Sequence, residues 1–225
     1  KNIKNNVQLT SISGGTDVVG CLVLGNIFSK VFAGEIQGES LGINIDIYDK
    51  NGKKVSRGEK GELVIKKPFP TMPIKFWNDN NDQKFKRAYF EKYKNVWHHG
   101  DYIQKSKNGG FIILGRSDST LNPGGVRIGT AEIYRYVEKI NFIRESLVVG
   151  QKFNNDIRII LFVILNEKKK LKNKDIKFIK ENIKKNCSPK HVPFKVIQIS
   201  EIPRTKSGKI VELAVKKAIH GEKIE

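Results

Sequence analysis

Three short segments hold side chains that could grip a phosphorylated ligand. Ser13-Gly14-Gly15-Thr16-Asp17 joins bare backbone to a hydroxyl and a carboxylate, enough for a phosphate oxygen and a Mg2+ ion, although the same residues also make an ordinary turn. Trp97-His98-His99-Gly100-Asp101 ends on a carboxylate that can accept two hydroxyl protons from a ribose, beside a glycine that lets the sugar approach. The paired histidines would suit a metal, but neighbours on a strand point to opposite faces, which favours packing roles for them. Pro203-Arg204-Thr205-Lys206-Ser207-Gly208-Lys209 is a basic, glycine-bearing loop. It is no Walker phosphate loop: Pro203 stands where that motif needs a glycine, and Ile210 where it needs Ser or Thr. A lysine at such a turn can still reach a remote anionic centre as a point charge. Equally, the loop could be plain surface.

These segments need strands and helices to hold them. Ile43, Ile45 and Ile47 alternate with polar neighbours, Asn51-Gly52 supplies a turn, and Gly61 to Ile65 runs back. That pattern predicts a hairpin with a two-residue loop and positive φ at both central positions. Asp101 to Lys105, Asn108-Gly109 and Phe111 to Leu114 repeat the design. Between them lie Pro68, Pro70 and Pro73, then Phe76-Trp77 and a polar helical stretch from Lys84 to Tyr93. After Asp118 the pattern changes. Thr130 is expected to cap a helix with Ile133, Val137 and Ile140 on one face. Strands are expected at Ser146 to Val149 and Ile157 to Leu165, and a helix from Asp175 that buries Ile176, Ile179 and Ile183. Lys195 to Ile199 reads as a strand and Ile210 as the start of a last helix. Residues 1–117 thus read as β-rich, and residues 118–225 as a small α+β domain.

Composition narrows the function classes. The chain has 225 residues, enough to bury a real core, and a hydrophobic fraction of 38%, which is a globular value. No apolar run approaches the ~20 residues needed to span a bilayer, and no membrane or nucleic-acid partner is expected. Cys21 and Cys187 cannot make a disulfide scaffold and suit a reducing, cytoplasmic compartment. The chain opens on Lys1 rather than Met, so the lack of a signal peptide carries little weight. The net charge of +19 would fit nucleic acid or an anionic membrane surface. However, the lysines are dispersed, and the dense run from Lys168 to Lys185 carries Asp175 and Glu181 without a base-stacking aromatic platform, so solvated surface is favoured.

The order of the segments identifies a resemblance. Gly15-Thr16-Asp17, Gly100-Asp101, Gly115-Arg116-Ser117-Asp118 running to Gly124-Gly125-Val126-Arg127, and Pro203 to Lys209 resemble the late motifs of the adenylate-forming superfamily. Within it, Phe32 to Gly38, Lys67 to Pro73, Phe76 to Asp79, Leu121 to Arg127 and Pro189 to Pro193 are similar to signatures of the acetoacetyl-CoA synthetase family. The resemblance covers almost the whole chain. It implies a mixed fold, α/β and β: the end of a large N-terminal domain with an antiparallel, β-barrel-like subdomain, then a small mobile α+β C-terminal domain. It also implies a missing N-terminal half, since the phosphate loop and adenine-binding segment of that superfamily are not visible in Lys1 to Ser13. The chain alone is therefore expected to be inactive.

The same resemblance implies a reaction and a set of roles. ATP and a short-chain carboxylate form an acyl-adenylate, and coenzyme A then takes the acyl group. Lys209 would bridge the carboxylate and the α-phosphate. Thr16 would contact that phosphate and Asp17 would hold Mg2+. Asp101 would grip the ribose, and Arg116 the ribose or the phosphates. Asp118 would be the hinge of the small domain. Gly124 and Gly125 would line the pantetheine tunnel, and Arg127 would steady their loop or its docking to the larger domain. Gly14 and Gly15 would border the acyl pocket, and Gly14, where acetyl-CoA synthetases carry Trp, would leave room for acetoacetate. Lys180 and Lys184 either meet the coenzyme A phosphates or form a solvated face. Propionate or butyrate as substrate, a basic nucleic-acid module and a non-catalytic interaction remnant remain as alternatives.

Overall fold

A computed structural model describes residues 4, 6–166 and 169–224; Lys1 and Lys168 lie outside them. The chain divides into two compact units, Lys1–Leu114 and Gly115–Glu225.

The first unit holds two sheets. β1 (Ser13–Gly15), β2 (Gly20–Leu24) and β3 (Gly38–Glu39) form an antiparallel sheet in that order. β4 (Ile45–Tyr48), β5 (Lys60–Ile65), β6 (Trp97–Lys105) and β7 (Phe111–Arg116) form the other. The second sheet is open, with β4 and β7 as its edges, so the expected barrel-like closure is not seen among the described residues. The predicted hairpin forms with a longer connection than expected. Tyr48 faces Glu62, and only Gly52 of the Asn-Gly pair has positive φ, +76°. The Asp49 carboxylate accepts from the N–H groups of Asn51 and Lys53 and turns the chain locally, and the chain then takes until Lys60 to re-enter the sheet. α1 (Gln83–Tyr89) stops four residues short of the expected end and buries Phe85 and Tyr89 against Trp97.

The second unit is one three-stranded sheet wrapped on both faces. β8 (Ile143–Phe153) and β9 (Asp156–Leu165) make a long antiparallel hairpin, longer than the expected strand at 146–149. Asn154 and Asn155 turn it, both with positive φ, as an I′-type turn requires. α3 (Asn173–Asn186) then crosses over, so that β10 (Lys195–Gln198) lies parallel to β9. Side chains alternate. Val148, Leu161 and Val163 pack on one face with Ile133 and Val137 of α2 (Thr130–Val137) and Ile179 and Ile183 of α3. Leu147, Val149, Ile160 and Ile164 pack on the other with Ile202, Val215 and Ile219. Burial on both faces explains why β9 reads as an almost unbroken apolar run. Leu161 is fully buried, and truncating such a residue to Ala costs about 2–5 kcal/mol. Thr130 is the first helical residue and not the cap. Gly129 is the cap, its N–H donating to Glu132, while Thr130 packs beneath Gly115, where a Cβ would lie 2.8 Å from its hydroxyl. The last helix, α4 (Glu212–Ile219), begins two residues later than expected because Ile210 pairs with Arg204 across the preceding turn.

Candidate functional site

In the first unit, a chain of contacts links the expected phosphate turn to the expected ribose carboxylate. Thr16 to Val19 form a tight turn, Val19 N–H to Thr16 carbonyl at 3.2 Å, in which Val19 takes φ +45°. A β-branched residue in that region is strained. Thr16 and Asp17 are exposed. The Tyr89 hydroxyl donates to Asp17, and the Tyr89 ring stacks on Trp97 with centroids 3.6 Å apart. Trp97 Nε1 in turn donates to His99 Nδ1 at 3.4 Å, and His99 Nε2 lies 3.8 Å from Asp101 Oδ2.

The strand that carries Asp101 is bulged at that point. Glu62 faces Tyr102 but Val64 faces His98, so Leu63 stands opposite His99-Gly100-Asp101. Gly100 takes φ +84° there. The bulge leaves both His99 and Asp101 buried, at 9% and 7% exposure. His98 has a different environment, its Nε2 2.9 Å from the fully buried Glu62, which also accepts from Lys92 at 2.5 Å. The two histidines thus point to different partners, as their adjacency on a strand implied.

The two glycines ahead of Thr16 are tightly placed. A Cβ on Gly14 would run into the Gly20 carbonyl and lie 2.8 Å from Cys21 Cα, since β1 slips register there against β2. Backbone cannot yield as a side chain can, so Gly14 has a packing reason of its own. A Cβ on Gly15 would lie 2.8 Å from His99 Cε1.

In the second unit, Arg116 Nη2 lies 3.7 Å from Asp118, both half exposed, in the 3-10 turn Ser117–Ser119 and its approach. The loop that follows is closed at its base by Leu121 and Ile128, which exchange two backbone hydrogen bonds of 2.8 Å and are buried. At its tip Gly124 and Gly125 take φ +56° and +78°. Arg127 Nε donates to Thr120 at 3.3 Å. Lys209 belongs to a different turn. Its N–H donates to the Thr205 hydroxyl, and Arg204 braces the turn by donating to the Gly208 carbonyl and to Glu145 of β8. The Lys209 side chain is exposed, and its ammonium makes no ion pair or hydrogen bond among the described residues.

The sequence did not point to Tyr89 or Asp156, and it marked Lys190 only as part of the Pro189 to Pro193 signature, with no role. Asp156 Oδ1 accepts from the N–H of Gly124 at 2.8 Å and of Ile157 at 2.7 Å. The Gly124 and Ile157 N–H bonds, then the charge of Lys190, hold its carboxyl below the usual carboxylate range. Asn154-Asn155-Asp156 is a turn signature, and that was the available signal.

No family model matches the chain. The acetoacetyl-coenzyme A synthetase of Rhizobium meliloti (strain 1021) is 52% identical over 225 residues, all of this chain and 34% of the relative. The solved acetoacetyl-CoA synthetase from Streptomyces lividans superposes with a TM-score of 0.87 at 42% identity, over 94% of this chain and 32% of that one. The chain is similar over nearly all of its length to these acetoacetyl-CoA synthetases. It spans about a third of the length of these synthetases. A benzoate CoA ligase from Burkholderia xenovorans LB400, at 23% identity and a TM-score of 0.77 over 90% of this chain and 39% of that one, shares the fold. No described helix is long and apolar enough to cross a membrane.

Proposed function

We propose that this chain is part of an ATP-dependent synthetase that activates acetoacetate and passes it to coenzyme A, releasing AMP and pyrophosphate. The observation that carries the reading is the 52% identity over the whole chain to an acetoacetyl-CoA synthetase. In the first half-reaction, an oxygen of the carboxylate attacks the α-phosphorus, and the α–β phosphoanhydride bond breaks to release pyrophosphate. In the second, the thiol sulfur attacks the acyl carbon, its proton leaves to solvent, and the bond to AMP breaks.

Two anions must meet in the first step, so positive charge has to be in place beforehand. Lys209 supplies it: an exposed ammonium on a turn braced through Arg204 to Glu145. Thr16 contacts the α-phosphate, Asp101 holds the ribose, and Arg116 supports the ribose or the phosphates. Asp17 fits a Mg2+ ion carried on the triphosphate. Such an ion takes one or two carboxylates and otherwise phosphate and water, and among the described residues no group of three acidic, His or Cys side chains could hold an ion alone. The ion, when bound, neutralises phosphate charge. Asp17, oriented by the Tyr89 hydroxyl, would be its protein ligand.

Residues 1–117 are read as the end of the large AMP-binding domain and residues 118–225 as the small mobile domain, with Asp118 as the hinge. After adenylation the small domain turns, Lys209 leaves, and Gly124-Gly125 comes to border the pantetheine path, where a side chain would obstruct the thiol. Arg127 steadies that loop. Gly14 leaves space for the acetoacetyl chain as well as for β2.

A pyrophosphate-release assay on the complete polypeptide with a panel of carboxylates tests the substrate. Acetoacetate should be the preferred acid. Preference for propionate or butyrate would replace acetoacetate in this reading. Turnover by the 225-residue chain alone would show that it carries a whole site.

A further inference from the structure

We propose that Asp156, with Lys190 beside it, is a positioning residue for thioester formation: it clamps the tip of the Gly124-Gly125 loop. The inference rests on the proposed function and deepens its second half-reaction.

The loop is already fixed at its base, where Leu121 and Ile128 pair and are buried in the core. Its tip has two consecutive residues in left-handed conformation, Gly124 and Gly125, and glycine has the least intrinsic preference for one backbone conformation. Something outside the loop must hold it. Asp156 does so from the turn of the β8–β9 hairpin, where Asn154 and Asn155 bring the chain round. Its Oδ1 receives the Gly124 N–H at 2.8 Å and the Ile157 N–H at 2.7 Å, so one oxygen ties loop tip to strand start.

Lys190 closes the other side. A Cβ on Gly124 would run into its Nζ. The turn that carries it, Pro189–His191, is itself anchored. The Ser188 hydroxyl accepts from the Lys190 N–H at 3.3 Å and bonds His191 Nδ1 at 2.8 Å, while buried His191 faces Glu132 at 3.5 Å. Gly124 thus sits between a carboxylate on its N–H and an ammonium on its Cα, both on separately braced elements. Geometry of this kind matters where reacting atoms must be aligned within about an ångström.

Two measurements decide it. In the first, Gly124 amide exchange is followed in the wild type, Asp156→Ala and Asp156→Asn. Asp156→Ala should exchange about tenfold faster or more, and Asp156→Asn, which keeps the acceptor oxygen, should stay near wild type. In the second, both half-reactions are measured in the complete polypeptide. Asp156→Ala should slow thioester formation from supplied acyl-adenylate roughly tenfold and leave pyrophosphate release within about twofold, with Asp156→Asn restoring the rate. Should Asp156→Ala not fold, Lys190→Gln should show the same selective loss, at about threefold. Unchanged Gly124 exchange, an equal fall in both half-reactions, or no rescue by Asn overturns the proposal. A wild type that adenylates no carboxylate would sink the parent reading alone, because Gly124 exchange still decides the clamp.

Discussion

Tyr89 donates its hydroxyl to the Asp17 carboxylate while its ring lies nearly parallel to Trp97, at an interplanar angle of 13°. One side chain from α1 therefore orients the proposed Mg2+ ligand and is itself oriented by the strand that carries Asp101. Tyr89→Phe keeps the stack and removes the donor. The KM for ATP·Mg2+ should rise roughly fivefold, the equivalent of about 1 kcal/mol for one hydrogen bond, with kcat little changed. Steady-state kinetics against ATP checks this, and an unchanged KM would deny Asp17 its dependence on Tyr89.

Gly14 has two readings that part company experimentally. If its role is only to widen the acyl pocket, Gly14→Ala should narrow the range of acids and leave stability alone. The carbonyl of Gly20 and Cα of Cys21 occupy the space of a Cβ, so the expected result is destabilisation by about 1–3 kcal/mol. Chemical denaturation of the variant measures it, alongside the carboxylate panel.

Sequence and structure agree where local rules dominate. Period-two alternation placed Ile45 and Ile47 on β4, and 3.6-residue spacing placed Ile133 and Val137 on one face of α2. Those patterns need only neighbours along the chain. The links that build the site are long-range: Tyr89 to Asp17 spans 72 positions and Asp156 to Gly124 spans 32. Nothing local marks such pairs. The Asn51-Gly52 turn misled for a local reason: the Asp49 side chain took over the turn and left Asn51 with an ordinary φ. Thr130 looked like a cap, but its place beneath Gly115 is a packing choice that a helix start signal cannot reveal.

Asp46 should make the first unit sensitive to acid. Burial raises its carboxyl pKa, but the Ile47 N–H and the ammonium groups of Lys66 and Lys54, at 3.1 and 3.3 Å, together hold it below the usual carboxylate range. A depressed carboxylate stabilises the fold above its unfolded pKa and loses that contribution as pH falls through the lower folded value. Asp46→Asn should thus cost on the order of 1 kcal/mol at neutral pH. Its deficit relative to wild type should shrink below about pH 4. Stability measured across pH 2 to 7 would show this convergence, and a constant difference would deny the ion pairs their role.

Gly124→Val should be selective. Valine strongly resists the φ of +56° and its side chain would press on Lys190. Thioester formation from supplied acyl-adenylate should fall at least about tenfold, while adenylation persists. Equal damage to both half-reactions would place the loop outside the coenzyme A step.

The decisive measurement is Lys209→Ala in the complete polypeptide, with the half-reactions separated. Pyrophosphate release from ATP and acetoacetate should fall by roughly 10²–10³-fold, while acyl transfer to coenzyme A from preformed acetoacetyl-adenylate should proceed near the wild-type rate. Adenylation at an undiminished rate without that ammonium would contradict the assignment of Lys209, and with it the reading of this chain as half of an adenylating site.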